Sequence, residues 1–243
     1  MQYLVFRLYA PLASWGQVAV GEERPTSLYP TRSAIIGLLS AALGLKREQE
    51  SEIIKLNNSV QIAVKQLYPS SLLRDYHTTQ VPSQRKGIID LTRKMELSET
   101  KLNTILSSRD YRCDGMWVVV IRLSGEKFYS LERLQQALLK PHFTLYLGRK
   151  SCPLSVPLRP IIVENLSLKE VLDTSFPPLT NSAKGDDFWL SGNDWVTYYW
   201  EGDKDEIGPG TVMTSQPWDN PLSKTRWLFS QRTVHQLSIK DDL

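Results

Sequence analysis

Three short stretches of the chain combine residue types able to hold an anionic polymer. The first is Thr31-Arg32-Ser33, directly after Pro30. If a helix begins there, its first backbone N–H groups are unpaired and its end carries partial positive charge, which suits a phosphate. Arg32 adds a planar fork that grips two phosphate oxygens. The second is Leu73-Arg74-Asp75-Tyr76-His77-Thr78, in which Arg74 can hold a phosphate while Tyr76 and His77 stack on a base. The third runs from Lys140 to Pro153. Lys140, His142, Arg149 and Lys150 supply charge, Phe143 and Tyr146 can stack, and Ser151 offers a hydroxyl. Gly148 lets a sugar or phosphate approach the backbone. This stretch does not fit the GxxxxGK[ST] phosphate loop. Each stretch also has a plain structural reading: a capped helix, a solvated loop with an Arg–Asp pair, and a basic loop after a helix.

Catalytic chemistry has little to work with. There are three histidines, His77, His142 and His235, and two cysteines, Cys113 and Cys152. RNA cleavage needs a general base near the 2′-OH and a cation for the developing charge. His142 with Lys140 or Lys150, helped by Tyr146, can supply these, although no spacing requires it. No Ser/His/Asp order, carboxylate cluster or Cys/His metal spacing is present, and the cysteines read as buried thiols in a cytoplasmic chain. No cofactor is expected.

The elements that must carry these stretches follow from periodicity. Residues 2–9 read as a strand and 31–44 as a helix, with Thr31 as N-cap and Gly44 as C-cap. A second helix fits 48–57. Strands fit 59–68 and 116–123, a helix begins at Ser130 and is stopped by Pro141, and 158–164 is strand-like. The order β-α-β, long insertion, β-α-β is that of a ferredoxin-like (RRM-like) α+β fold. The insertion, about 69–115, has no clean core period. It holds Arg74, Arg85, Lys86, Arg93, Lys94, Lys101, Arg109 and Arg112. A loop of this length is functional or disordered, so it reads as a projecting finger for nucleic acid, or as a segment that orders on binding. The last third reads as a short helix at 167–173 and strands within 195–202, 211–218 and 225–234. Five of the seven tryptophans lie there, fitting a compact β core or a protein interface.

Charge divides the chain in the same place. Residues 1–160 hold 22 Lys+Arg and 13 Asp+Glu, a net of +9; residues 161–243 hold 7 and 13, a net of −6. The excess fits a polyanion partner, or a basic part that docks the chain's own acidic remainder. Domains are therefore expected at 1–160, RNA-binding, and 161–243, small, β-rich and facing protein. No run of residues is apolar enough for a membrane helix, so a membrane is not expected as a partner.

The segments Ala13-Ser14-Trp15-Gly16-Gln17, Arg24-Pro25-Thr26, Pro30-Thr31-Arg32-Ser33, Leu73 to Thr78 and Lys140 to Leu154 resemble, in order, the CasD family of type I-E CRISPR (Cascade) complexes. The likeness covers about residues 1–160. It implies a non-catalytic subunit that caps the crRNA 5′ handle, with the insertion as a thumb touching a backbone subunit. It also implies a neighbouring large PAM-reading subunit and target DNA near the PAM-proximal end. The RNA-binding residues it implies are Trp15, Gln17 and Arg24, then Thr31, Arg32 and Ser33, then Arg74, Tyr76 and His77, to which the basic insertion adds Arg109 and Arg112. Lys140, His142, Tyr146, Gly148, Arg149, Lys150 and Ser151 complete the set. Relatives in another subtype cleave the guide precursor, which makes a metal-independent endoribonuclease the alternative. Phe143 and His142 depart from the Tyr and Arg common in the family.

Overall fold

The computed structural model describes residues 1–83, 87, 89, 91–98, 102–125, 128–190 and 195–240. Arg85, Lys86 and Lys101 of the expected finger lie outside these. The chain starts with β1 (Gln2–Tyr9) and the two-residue strands β2 (Leu12–Ala13) and β3 (Glu23–Arg24). Helices α1 (Arg32–Leu43) and α2 (Glu50–Ser59) follow. Thr31 is the N-cap of α1, and Gly44, at φ 79°, ends it in the left-handed region that glycine tolerates.

Next come β4 (Val60–Tyr68), β5 (Ser71–Pro82), the single turn α3 (Arg93–Glu96), β6 (Leu102–Cys113) and β7 (Met116–Leu123). Then follow α4 (Leu131–Leu139), capped by Ser130, and β8 (Ile161–Glu164). The remainder forms α5 (Leu168–Leu172), α6 (Ala183–Trp189), β9 (Trp195–Trp200) and β10 (Met213–Ser215). It ends with β11 (Asn220–Ser223), β12 (Leu228–Ser230) and β13 (Val234–Lys240). No helix is long and apolar enough to cross a membrane, among the described residues.

The main sheet has seven strands in the order β10-β13-β9-β4-β7-β1-β8, antiparallel throughout. Alternation along its central strands buries both faces. Leu4, Phe6 and Leu8 of β1 join Trp117, Val119 and Ile121 of β7 under α1, α2 and α4. Tyr3 and Val5 join Val118, Val120 and the α5 residues Leu168, Val171 and Leu172 on the other face. Each such side chain contributes about 1.5–3 kcal/mol on burial.

The strands from beyond residue 160 build into this same sheet: β8 lies against β1, and β9 lies against β4. Trp200 is buried, whereas Trp189, Trp195, Trp218 and Trp227 are exposed. Part of the charge asymmetry closes internally. Arg32 meets Glu201, Lys65 meets Asp173 and Arg122 meets Glu206.

The insertion is an antiparallel hairpin, β5 on β6, paired over twelve residues from Ser71↔Cys113 to Pro82↔Leu102. Its root is braced by β2 and, in parallel, by β3. The expectation of a segment without regular structure is corrected here. A two-stranded ribbon standing off the body is held by its backbone ladder and by local side-chain pairs, so it needs no apolar alternation.

Candidate nucleic-acid interface

The site is built on β6. Successive side chains of a strand point to opposite faces, so Arg109 and Tyr111 share one face while Asp110 and Arg112 share the other. The β5 register extends this: Asp75 lies opposite Arg109 and His77 opposite Ser107, while Arg74 lies opposite Asp110 and Tyr76 opposite Ser108. The expectation that Arg74, Tyr76 and His77 act together is therefore corrected, because the strand period separates His77 from the other two. Arg74 also has a partner of its own. Its Nε and Nη2 donate to Asp110 Oδ1 and Oδ2 at 2.8 and 3.0 Å. These bonds hold the Asp110 carboxyl below its ordinary range.

The face of Arg109 gathers cations with no such partner. Arg24 lies beside Arg109 on the parallel strand β3. The Arg24 guanidinium donates to the carbonyls of Gly21 and Glu23, at 2.6 and 2.8 Å. Arg109 Nε donates to Ser107 Oγ at 3.3 Å. Arg149 sits 4.7 Å over the Tyr111 ring and donates to the carbonyls of Asp110 and Arg24, at 3.4 and 3.2 Å. On the other face Arg112 Nε donates to the Ser27 carbonyl at 3.1 Å. Carbonyl and hydroxyl acceptors orient a guanidinium without neutralising it. Among the described residues, none of these four arginines has a carboxylate within ion-pair distance.

The loop that brings Arg149 here is fixed by backbone. Leu145, Leu147 and Cys152 are buried in the main core, and Leu147 N donates to Cys152 O at 2.8 Å. Ser14 N donates to Leu147 O at 3.0 Å, and Ser14 Oγ donates to Asp110 O at 3.1 Å. Gly148 has φ 83°, and a Cβ there would lie 1.8 Å from Ser14 O. Only glycine fits. Lys150, Ser151 and Tyr146 are exposed on this loop.

Other expected residues lie elsewhere. Trp15 is buried edge-on against Trp117, with ring centroids 5.2 Å apart, so it is core and offers no stacking face. Gln17 is exposed, and its backbone N–H donates to Pro25 O. The phosphate site expected at Thr31-Arg32-Ser33 is filled by the chain itself. Asp219 Oδ2 accepts from Arg32 N at 2.8 Å, taking the place an anion would occupy at the helix start. The Arg32 guanidinium is buried and donates to Glu201, Asn57, Asn220 and the Val60 carbonyl. Thr31 is buried and its Oγ1 meets Ser33 Oγ.

Lys140 ends α4. His142 N and Phe143 N donate to the carbonyls of Ala42 and Ala41 at the end of α1, and the His142 ring abuts Gly44. Among the described residues no hydrogen bond or ion pair joins His142 to Tyr146 or Lys150. No group of three or more His, Cys, Asp or Glu converges to hold a metal, again among the described residues. Sequence reasoning missed Tyr111, Ser14 and Asp110. The alternation Arg109-Asp110-Tyr111-Arg112 carried the signal for two of them; Ser14 lies within the Ala13–Gln17 segment, but its bonds from N to Leu147 and from Oγ to Asp110 join distant parts of the chain.

Fold and site together define a mixed α+β protein with a long hairpin whose root gathers unneutralised arginines. The family described as CRISPR-associated protein (Cas_Cas5) matches residues 3–235, and the chain belongs to that family. It is 38% identical over 164 residues to the CRISPR system Cascade subunit CasD of Escherichia coli K12, covering 64% of this chain and 69% of that protein. A chain of a CRISPR RNA-guided surveillance complex superposes with TM-score 0.66 at 22% identity, covering 98% of this chain and 90% of the other. A second solved structure, of a Cas protein, gives TM-score 0.61 at 24% identity, covering 99% and 96%. At these identities the two structures speak for the fold alone.

Proposed function

We propose that the chain is a non-catalytic subunit of a Cascade-type CRISPR surveillance complex in the cytoplasm. In this reading it binds the crRNA 5′ handle at the root of the hairpin and links backbone subunits to a large subunit. The β-α-β-β-α-β order is taken as ferredoxin-like, with residues 69–115 as its thumb. The observation that carries the RNA reading is the pairing of Arg24 with Arg109. Like charges set directly opposite each other on neighbouring strands repel, and Arg149 adds a third guanidinium beside them. A phosphate backbone seated across this face would relieve the repulsion and release its own counterions. Tyr111 lies under Arg149, so a base would meet the exposed ring of Tyr146 instead. The His142 backbone is tied to the end of α1, and among the described residues no hydrogen bond or ion pair joins its ring to Tyr146 or Lys150, which favours binding over cleavage.

The test is the salt dependence of guide binding. Arg109→Ala, Arg149→Ala and Lys150→Ala are each expected to lower the slope of log K against log salt by about one. Their melting temperatures should stay near that of the parent. Unchanged slopes in all three would remove this face as the handle site.

A further inference from the structure

The hairpin has a free outer edge. Among the described residues β5 pairs with β6 on one side and with no strand on the other. Its twelve residues hold one register with no bulge. The two edges of the main sheet, β8 and β10, are four and three residues long. Natural sheets keep open edges short, or blunt them with lysine, proline or a bulge, because unpaired N–H and C=O groups template another strand. β5 contains no lysine, and its one proline, Pro82, is its last residue.

Which groups face outward is fixed by β6. Ser108 N donates to Glu22 O at 3.0 Å, and Asp110 O accepts from Ser14 Oγ, so both residues point away from β5. Residues opposite them belong to non-hydrogen-bonded pairs of the antiparallel ladder. Tyr76 faces Ser108 and Arg74 faces Asp110, so the N–H and C=O groups of Arg74 and Tyr76 turn outward. The period of two extends this to Leu72, Thr78 and Gln80. The Arg93 guanidinium independently reaches the Gln80 carbonyl, as an outward orientation requires. Leu72, Arg74, Tyr76 and Thr78 thus present an open ladder.

We propose that an extended segment of a second, different protein subunit adds to this edge as a strand. The inference rests on the reading of the chain as a subunit of a larger assembly. An RNA backbone supplies oxygen acceptors but no regularly spaced donors for the outward carbonyls, whereas a polypeptide strand supplies both. A second copy of this chain would bring the same basic hairpin, with 8 Lys+Arg against 6 Asp+Glu over residues 69–115. Leu72 and Tyr76 are 52% and 66% exposed on the face that also carries Arg74. Arg74 is already paired with Asp110, so the added strand sets apolar side chains beside Leu72 and Tyr76.

Amide exchange on the chain alone, on the chain with guide RNA, and on the assembled ribonucleoprotein tests this. The outward amides of Leu72, Arg74, Tyr76 and Thr78 should slow at least tenfold in the assembly only. Thr78→Pro removes one outward donor and leaves the β5–β6 ladder whole, which unchanged protection of the Asp75 and His77 amides in the free variant verifies. It should lower occupancy of the neighbouring subunit about tenfold at unchanged guide affinity. Slowing by RNA alone, slowing in the free chain as its concentration rises, no slowing in the assembly, or normal occupancy with Thr78→Pro would each overturn the proposal. Guide affinity on the same samples reports separately on the RNA reading.

Discussion

Arg32 and Arg149 illustrate two arginine clusters that the sequence does not distinguish. Around Arg32, two guanidiniums face two carboxylates. Glu201 accepts from Arg32 and from Arg232, and Asp219 takes both remaining ends of Arg232 and the backbone of Arg32. Around Arg149 the acceptors are carbonyls and a hydroxyl, and among the described residues no carboxylate stands at ion-pair distance. The first cluster clamps the last third of the chain to the start of α1. The second is oriented and left available. An arginine's role follows from where the carboxylates are, and the decisive carboxylates lie far along the chain, 169 residues away for Arg32 and Glu201.

The largest effect is expected from removing one of those carboxylates. Glu201→Ala leaves two buried guanidiniums with one counterion, and the uncompensated charge costs about 3–5 kcal/mol. For a chain of this size that is a fall in Tm on the order of 10 °C. Guide affinity of the remaining folded protein, and its salt slope, should not change. A variant that melts normally, or that binds guide RNA with a shallower slope, would show that the clamp and the interface are not separate.

Gly148→Ala attacks the other side. The added Cβ collides with Ser14 O, and φ 83° is strained for any other residue. The loop must shift, at about 1–3 kcal/mol. Because that shift carries Arg149 and Lys150 away, guide affinity should fall about tenfold and the salt slope by about two. A purely structural glycine would lower stability without altering the slope, so the slope decides.

Much of the frame was legible because it rests on local signals. The strands at 2–9, 59–68 and 116–123 and the helices begun by Thr31 and Ser130 show apolar period and caps within a few residues, and each appears within about two positions. The hairpin was not legible as strands. Its sides are largely exposed, so Ser71–Pro82 carries no alternation of apolar and polar residues. The site was half legible. Arg24, Arg109, Arg149 and Gly148 lie together, held by bonds through Ser14 and Asp110. Trp15, Thr31 and Arg32 do not, because burial and distant partners decide their roles, and a motif records type and order alone.

The Arg74–Asp110 pair sits between the two clusters in character, and pH sharpens where it belongs. The Asp110 side chain is 9% exposed and Arg74 is 59% exposed, so one partner is held and the other is wet. Hydrogen bonding from Arg74 lowers the Asp110 carboxyl below its ordinary value of about 3.9. A carboxyl depressed in the folded state adds stability that is complete above that ordinary value and is lost as pH falls through the folded one. The hairpin root should therefore hold constant stability from neutral pH down to about pH 4 and weaken below it. Amide exchange at Tyr111 and Leu73, opposite each other beside the pair, reads this directly. Asp110→Asn should remove that acid step, with an effect smaller than either substitution above because solvent screens the exposed partner. An acid step that survives Asp110→Asn would place the titrating group elsewhere in the root and class Arg74 with the uncompensated arginines.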